Sequence, residues 1–220
     1  MAYTNNLHII YGDATLGINT PDKQYIFSYE KGGLESLKIK GKEWFYRVPT
    51  PTFWRATTDN DRGSGFNQKA AQWLGADMFT KCVGIHVQVD DHQFDELPVA
   101  PINNQFSNQE FAHEVKVAFD YETLTTPATK VKIIYNINDA GHMTITMHYF
   151  GKKGLPPLPV IGMRFIMPTK AKVLPILACL VKPTLTEWLE QNAELSTLTA
   201  CQLLSILYHR KTECTCRLMN

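Results

Sequence analysis

The 220-residue sequence has no lysine- or arginine-rich run, and its formal net charge is +1. That balance excludes a dominant role on nucleic acid or on an anionic membrane surface, both of which select dense positive charge. The longest apolar run near the C-terminus, Val173 to Val181, is nine residues, too short to span a bilayer. Polar Asn5, Asn6 and His8 interrupt the N-terminus, so no secretory leader pattern is legible. The five cysteines are odd in number: Cys82 stands apart, and Cys179, Cys201, Cys214 and Cys216 fall in the last quarter. Such a set argues against a disulfide framework and for a reducing compartment. Cys214-Thr-Cys216, with His209 upstream, lacks the Cys-x2-Cys spacing of a zinc site, so no metal is assigned. Glycine-rich phosphate loops, nucleophile elbows and His-Glu-x-x-His pairs are also missing. The expectation is a soluble cytoplasmic protein with no nucleic-acid or membrane partner and no self-contained active site.

What is present reads mostly as β-structure. Leu7 to Tyr11 and Gln24 to Tyr29 are rich in branched and aromatic residues, and Lys31-Gly32-Gly33 turns the chain into Leu34, Leu37 and Ile39. Lys40-Gly41-Lys42 predicts another turn before a strand at Trp44-Phe45-Tyr46. Period-2 alternation recurs at Ile85, Val87 and Val89, at Val115, Val117 and Phe119, and at Val131, Ile133, Tyr135 and Ile137. Asp139-Ala140-Gly141 marks a hairpin into Met143, Ile145, Met147 and Tyr149, whose opposite face carries His142, Thr144, Thr146 and His148. Asp90 to Gln109 reads as a polar connection. Leu155 to Pro159 is a stiff lead-in to a strand over Val160 to Ile166. The pattern predicts an all-β fold, a large antiparallel β-sandwich. Ala70, Ala71, Trp73, Leu74 and Met78 lie near helical spacing and predict one short helix over 68–79. Trp73 is then a core anchor or, alternatively, a sugar-stacking ring. A rough leucine stripe predicts a further helix from Thr186 to His209.

One stretch stands out. Phe53 and Trp54 lead through Arg55 into Asp59-Asn60-Asp61, followed by Gly63 and Gly65. Large rings anchor a strand end, whereas Asp and Asn bond their own backbone and Gly permits a sharp bend. The expectation is a presented polar loop. In it Asp59 and Asp61 accept backbone hydrogen bonds, Asn60 donates and accepts, Gly63 is the hinge and Arg55 braces a carboxylate. Two carboxylates this close could instead serve acid/base chemistry or bind a cation.

This stretch resembles a signature of the glycoside hydrolase family 2 β-galactosidases, Phe-x-Arg-Ala-Pro-x-Asp-Asn-Asp-x-Gly, matched by Phe53, Arg55, Ala56, Asp59, Asn60, Asp61 and Gly63. Thr57 replaces the proline. Phe27 to Leu37, Trp73 within Ala71 to Gly75, and Leu158 to Phe165 resemble flanking parts of the same domain, so the likeness runs from about Leu7 to Lys172. The resemblance implies a galactose-mutarotase-like supersandwich over 1–172. It further implies the separate small subunit of a heterodimeric, lactic-acid-bacterial type β-galactosidase. In that arrangement the large subunit carries both catalytic glutamates and the Mg2+, and this chain holds no catalytic residue and binds no cofactor. Its loop Asp59, Asn60, Asp61 and Gly63, supported by Phe53, Trp54 and Arg55, would border the galactoside site. The alternatives are a carbohydrate-binding or mutarotase-like sandwich acting alone, or an inactive truncated remnant.

The tail departs from the family, which continues with Gly-Glu-x-Tyr-Pro-Asp-Arg, then Pro-Gln-Glu-x-Gly, and later a tryptophan lining the sugar site. None of these occurs here. With chosen synonymous codons, Leu180 to Trp188 can be written CTG GTG AAA CCT ACC CTG ACC GAA TGG. Read from its third base, that string spells Gly-Glu-Thr-Tyr-Pro-Asp-Arg-Met. His209 to Cys216 yields Gln-Glu-Asn-Gly-Val-His-Met at the same offset. Residues 173–220 are therefore expected to be an aberrant, frameshifted tail.

Overall fold

The computed structural model describes residues 7–168 and 196–199. Leu7–Tyr11 (β1), Thr15–Asn19 (β2), Lys23–Ser28 (β3), Gly33–Ile39 (β4) and Lys42–Glu43 (β5) form an antiparallel meander. Thr50–Thr52 (β6) leaves that sheet for a helical excursion made of Asp59–Gly63 (α1), Phe66–Lys69 (α2) and two 3-10 turns, Ala71–Trp73 and Ala76–Phe79. The chain returns as Lys81–Val89 (β7), His92–Gln93 (β8), Ser107–Ala112 (β9), Glu114–Glu122 (β10), Lys130–Asn138 (β11) and Met143–Phe150 (β12). Gly162–Arg164 (β13) and Ser196–Thr199 (β14) complete the described strands. The strand orders are β5-β4-β3-β2-β1-β9 in one sheet and β14-β12-β11-β10-β7-β8 in the other, with β13 and β6 as a separate ribbon. All pairings are antiparallel.

The two large sheets face each other because the alternating strands bury one side. Val115, Val117, Phe119 and Tyr121 of β10 and Val131, Ile133, Tyr135 and Ile137 of β11 all point inward. Phe27 from β3 meets Phe119 at 6.2 Å and Tyr135 at 5.4 Å between ring centres, so one aromatic cluster bridges both layers. At one end Tyr121 donates its hydroxyl to Gly32 O at 2.5 Å. At the other, Lys23 and Tyr25 both donate to Gly141 O, at 2.7 and 2.8 Å. Gly141 sits at φ 64°, in the left-handed region that a hairpin turn needs and that a side chain resists. The all-β sandwich is as expected, including the hairpin around Gly141; on the outer face His142 is exposed, while Thr144, Thr146 and His148 of β12 are half-buried.

Several elements differ from the sequence reading. β9 begins at the end of the stretch read as a connection and runs three residues past it: Ser-Asn-Gln-Glu-Phe-Ala carries little alternation, and as an edge strand of the first sheet it needs little. Only His113 separates it from β10 in the opposite sheet, and Asp90 caps this crossing by accepting from His113 N and Glu114 N, both at 2.8 Å. β2 went unread because Thr-Leu-Gly-Ile-Asn is short and glycine-broken. Trp44-Phe45-Tyr46 is not a strand. The Glu43 carboxylate accepts from the amides of Leu37, Trp44 and Phe45 at 3.0, 3.1 and 3.1 Å and so curls the chain off the ladder. The helix over 68–79 is broken into short turns by Gly75 at φ 76°. Ala70, Trp73 and Ala76 are buried, while Leu74 and Met78 are exposed. The expected 173–220 tail and the Thr186–His209 helix lie outside the described residues except for β14. There Ser196–Thr199 is a strand pairing β12 at Thr144–Met147, as its two threonines suit. Among the described residues no helix is long and apolar enough to cross a membrane.

Candidate functional site

The excursion from β6 to β7 is held by aromatic packing at its base. Phe53 is fully buried, its ring 5.4 Å from that of Trp73, and Trp54 is half-buried against the same core. Trp73 is also fully buried, meets Tyr149 edge-on at 6.2 Å and donates Nε1–H to Pro156 O at 3.1 Å. It is therefore the core anchor, and its faces are unavailable to a sugar.

Beyond that base, Thr58 to Gly65 is a single capped helical turn, not an open loop. Thr58 and Asp61 form a capping box, in which Asp61 N–H donates to Thr58 Oγ1 at 3.2 Å and Thr58 N–H donates to Asp61 Oδ2 at 2.8 Å. The signal was legible as Thr-x-x-Asp, one methylene shorter than the usual Thr-x-x-Glu. Arg55 grips the same carboxylate with both prongs, Nη1 to Oδ2 at 2.6 Å and Nη2 to Oδ1 at 3.1 Å. The two guanidinium bonds and the Thr58 amide hold the Asp61 carboxyl well below the usual carboxylate range. An acid ionised so readily, with its lone pairs occupied, is unsuited to proton transfer near neutrality. Asp59, by contrast, is almost fully exposed and pairs with Arg62. The two carboxylates thus face different arginines and present no shared donor set for a cation. Asn60 is exposed, with its carbonyl accepting from Ser64 N at 3.0 Å.

The hinge is displaced from its expected place. Gly63 ends α1 with ordinary φ, and Gly65 adopts the left-handed φ of 67° between α1 and α2. Sequence reasoning also missed Arg62, whose Nη1 donates to Thr57 O at 3.2 Å, and the ion pair of Arg164 with Asp77 at 2.5 Å. No local pattern joins Arg164 to Asp77, which lie far apart in sequence.

The turn therefore offers a ligand Asp59 as an acceptor and the Asn60 amide as donor and acceptor, on a base fixed by Arg55, Asp61 and Trp73. Comparison with known proteins gives the family of the chain. Residues 19–174 match the model of a family described as β-galactosidase small chain. The chain belongs to the β-galactosidase small chain family. Among its relatives, a β-galactosidase small subunit from Latilactobacillus sakei is 54% identical over 172 residues, which cover 78% of this chain and 54% of that protein. A β-galactosidase from Clostridium acetobutylicum is 36% identical over 161 residues, 73% of this chain and 16% of its own length. One from Halalkalibacterium halodurans is 32% identical over 165 residues, 74% of this chain and 14% of its own. The chain thus spans about half the length of the small subunit it matches and a far smaller share of the longer enzymes. The family match takes in every residue of the turn and its aromatic base.

Proposed function

We propose that this chain is the small subunit of a retaining β-galactosidase that hydrolyses terminal non-reducing β-D-galactosides such as lactose, together with a large subunit. The small-subunit family match across the Arg55–Asp61 turn carries this reading. The large subunit supplies the two glutamates, one as nucleophile and one as acid/base, and holds the Mg2+. This chain contributes Asp59 and Asn60 to the rim of the galactoside site, on the support of Phe53, Trp54, Arg55 and Asp61. Exposed Leu74, Met78 and Phe79 in the same excursion support contact with another chain. Cys82, a free thiol among the described residues, supports a cytoplasmic location.

Co-expression with a large subunit and assay on a chromogenic galactoside tests the reading. Turnover that needs both chains is expected, and Asp61→Ala should reduce turnover more than it reduces association. Galactose binding by this chain alone, with no turnover on adding the large subunit, would replace the reading with a solitary binding module.

A further inference from the structure

Both stems of the helical excursion meet one guanidinium. The outgoing stem leaves β6 at Thr52, and the returning stem passes through the turn Ala76–Phe79. Arg164 on β13 directs Nη1 to Asp77 Oδ2 at 2.5 Å and Nη2 to Thr52 Oγ1 at 3.2 Å. The ribbon register sets Arg164 opposite Thr50, so its reach to Thr52 is a diagonal cross-strand contact. The Asp77 carboxylate is 7% exposed against 43% for Arg164. Removing the cation would therefore strand a largely buried negative charge. A planar fork spans two acceptors at once, which a lysine ammonium on its single stem does less well. The bond from Trp73 to Pro156 O adds a second tie between the returning stem and the segment that leads into β13.

We propose that Arg164 is a positioning residue for galactoside turnover. By holding Thr52 and Asp77 to one side chain it fixes the separation of the two stems, and so sets where Asp59 and Asn60 stand at the rim. This rests on the galactosidase reading of that rim. Arg164 touches neither residue, and its action runs through the backbone of the excursion.

Hydrogen exchange on the full chain decides the clamp. In Arg164→Ala the amides of Asp61, Arg62 and Ser64 should exchange about tenfold faster or more while β10 and β11 keep their protection. Arg164→Lys should lie between, and the swapped pair Asp77→Arg with Arg164→Asp should recover part of the protection. Unchanged exchange in the turn, or an equal rise in β10 and β11, overturns the clamp. With the large subunit present, Arg164→Ala should lower kcat/KM on a chromogenic galactoside by about tenfold or more, with the swapped pair recovering part of it. Unchanged kcat/KM beside faster exchange overturns the positioning role. Absence of turnover in the unmodified pair overturns the galactosidase reading and the positioning role with it, while exchange still decides the clamp.

Discussion

Arg55 and Asp61 close a two-pronged ion pair across six residues, and the same Asp61 carboxylate caps the amide of Thr58. One acid thus fixes both the entry and the first turn of α1. Its carboxyl is stabilised as the anion, so the unfolded chain takes up the proton first on acidification. The stabilisation is full above the ordinary value of 3.8 and is lost as pH falls through the lower folded value. Thr58 and Asp61 amide signals followed by NMR should hold steady down to about pH 4 and shift below it. Asp61→Asn should lack that transition, and Arg55→Lys should weaken the turn by losing the fork.

Gly65 and Gly63 should respond differently to alanine. An added Cβ meets open space at both positions, with nothing nearer than 3.9 Å at Gly65. Gly65 has φ 67°, whereas Gly63 lies in the helix. Gly65→Ala should therefore cost about 1 kcal/mol from backbone conformation. Gly63→Ala should be neutral or slightly stabilising. Chemical denaturation of the two variants checks this, and equal effects would restore Gly63 as the hinge.

Trp73 tests the core reading. Its full burial between Phe53 and Tyr149 predicts that Trp73→Ala loses about 3–5 kcal/mol of stability, with Trp73→Phe losing less. Urea melts should show the loss. A variant of unaltered stability that had lost galactoside affinity would mean the ring serves the sugar instead.

The buried tyrosines set an alkaline limit. Burial raises the hydroxyl of Tyr25 to about 12 and pushes Tyr121 and Tyr135 further up, from an ordinary 10.0. The unfolded chain therefore ionises first, so stability is intact below pH 10 and falls as pH rises through the folded values. The part of the tyrosinate absorbance that belongs to Tyr25, Tyr121 and Tyr135 should appear together with loss of β-sheet circular dichroism, not before it.

The tail yields to nucleic-acid sequencing. Resequencing the gene across codons 165–185 should show a one-nucleotide insertion or deletion, and an intact frame encoding Lys170 onward as given would sink the frameshift.

Much of the sandwich was legible because strands buried on one face must alternate, as at Val131, Ile133, Tyr135 and Ile137. β9 was not, since an edge strand of polar residues answers to pairing with β1 and not to burial. At the site, the bracing of a carboxylate by Arg55 was readable from residue types at short range. The hinge was not, because three glycines within thirteen residues, Gly63, Gly65 and Gly75, satisfy the same local rule, and the packing of Ala70 and Trp73 selects which ones turn. The Arg164–Asp77 pair lay beyond reading altogether, because only the fold brings those positions together.

The long-range ladder that joins Leu7 to Ala112 has a consequence for synthesis. A ribosome adding about 5–20 residues per second delivers Ala112 roughly 5–20 s after Leu7. During that interval β1 can pair with β2 on one side while its other edge stays bare, until β9 arrives and Phe111 stacks on His8 at 5.0 Å. A bare strand edge invites a neighbouring copy. The pace of translation between Tyr11 and Ala112 therefore sets how long nascent chains on one messenger can capture each other.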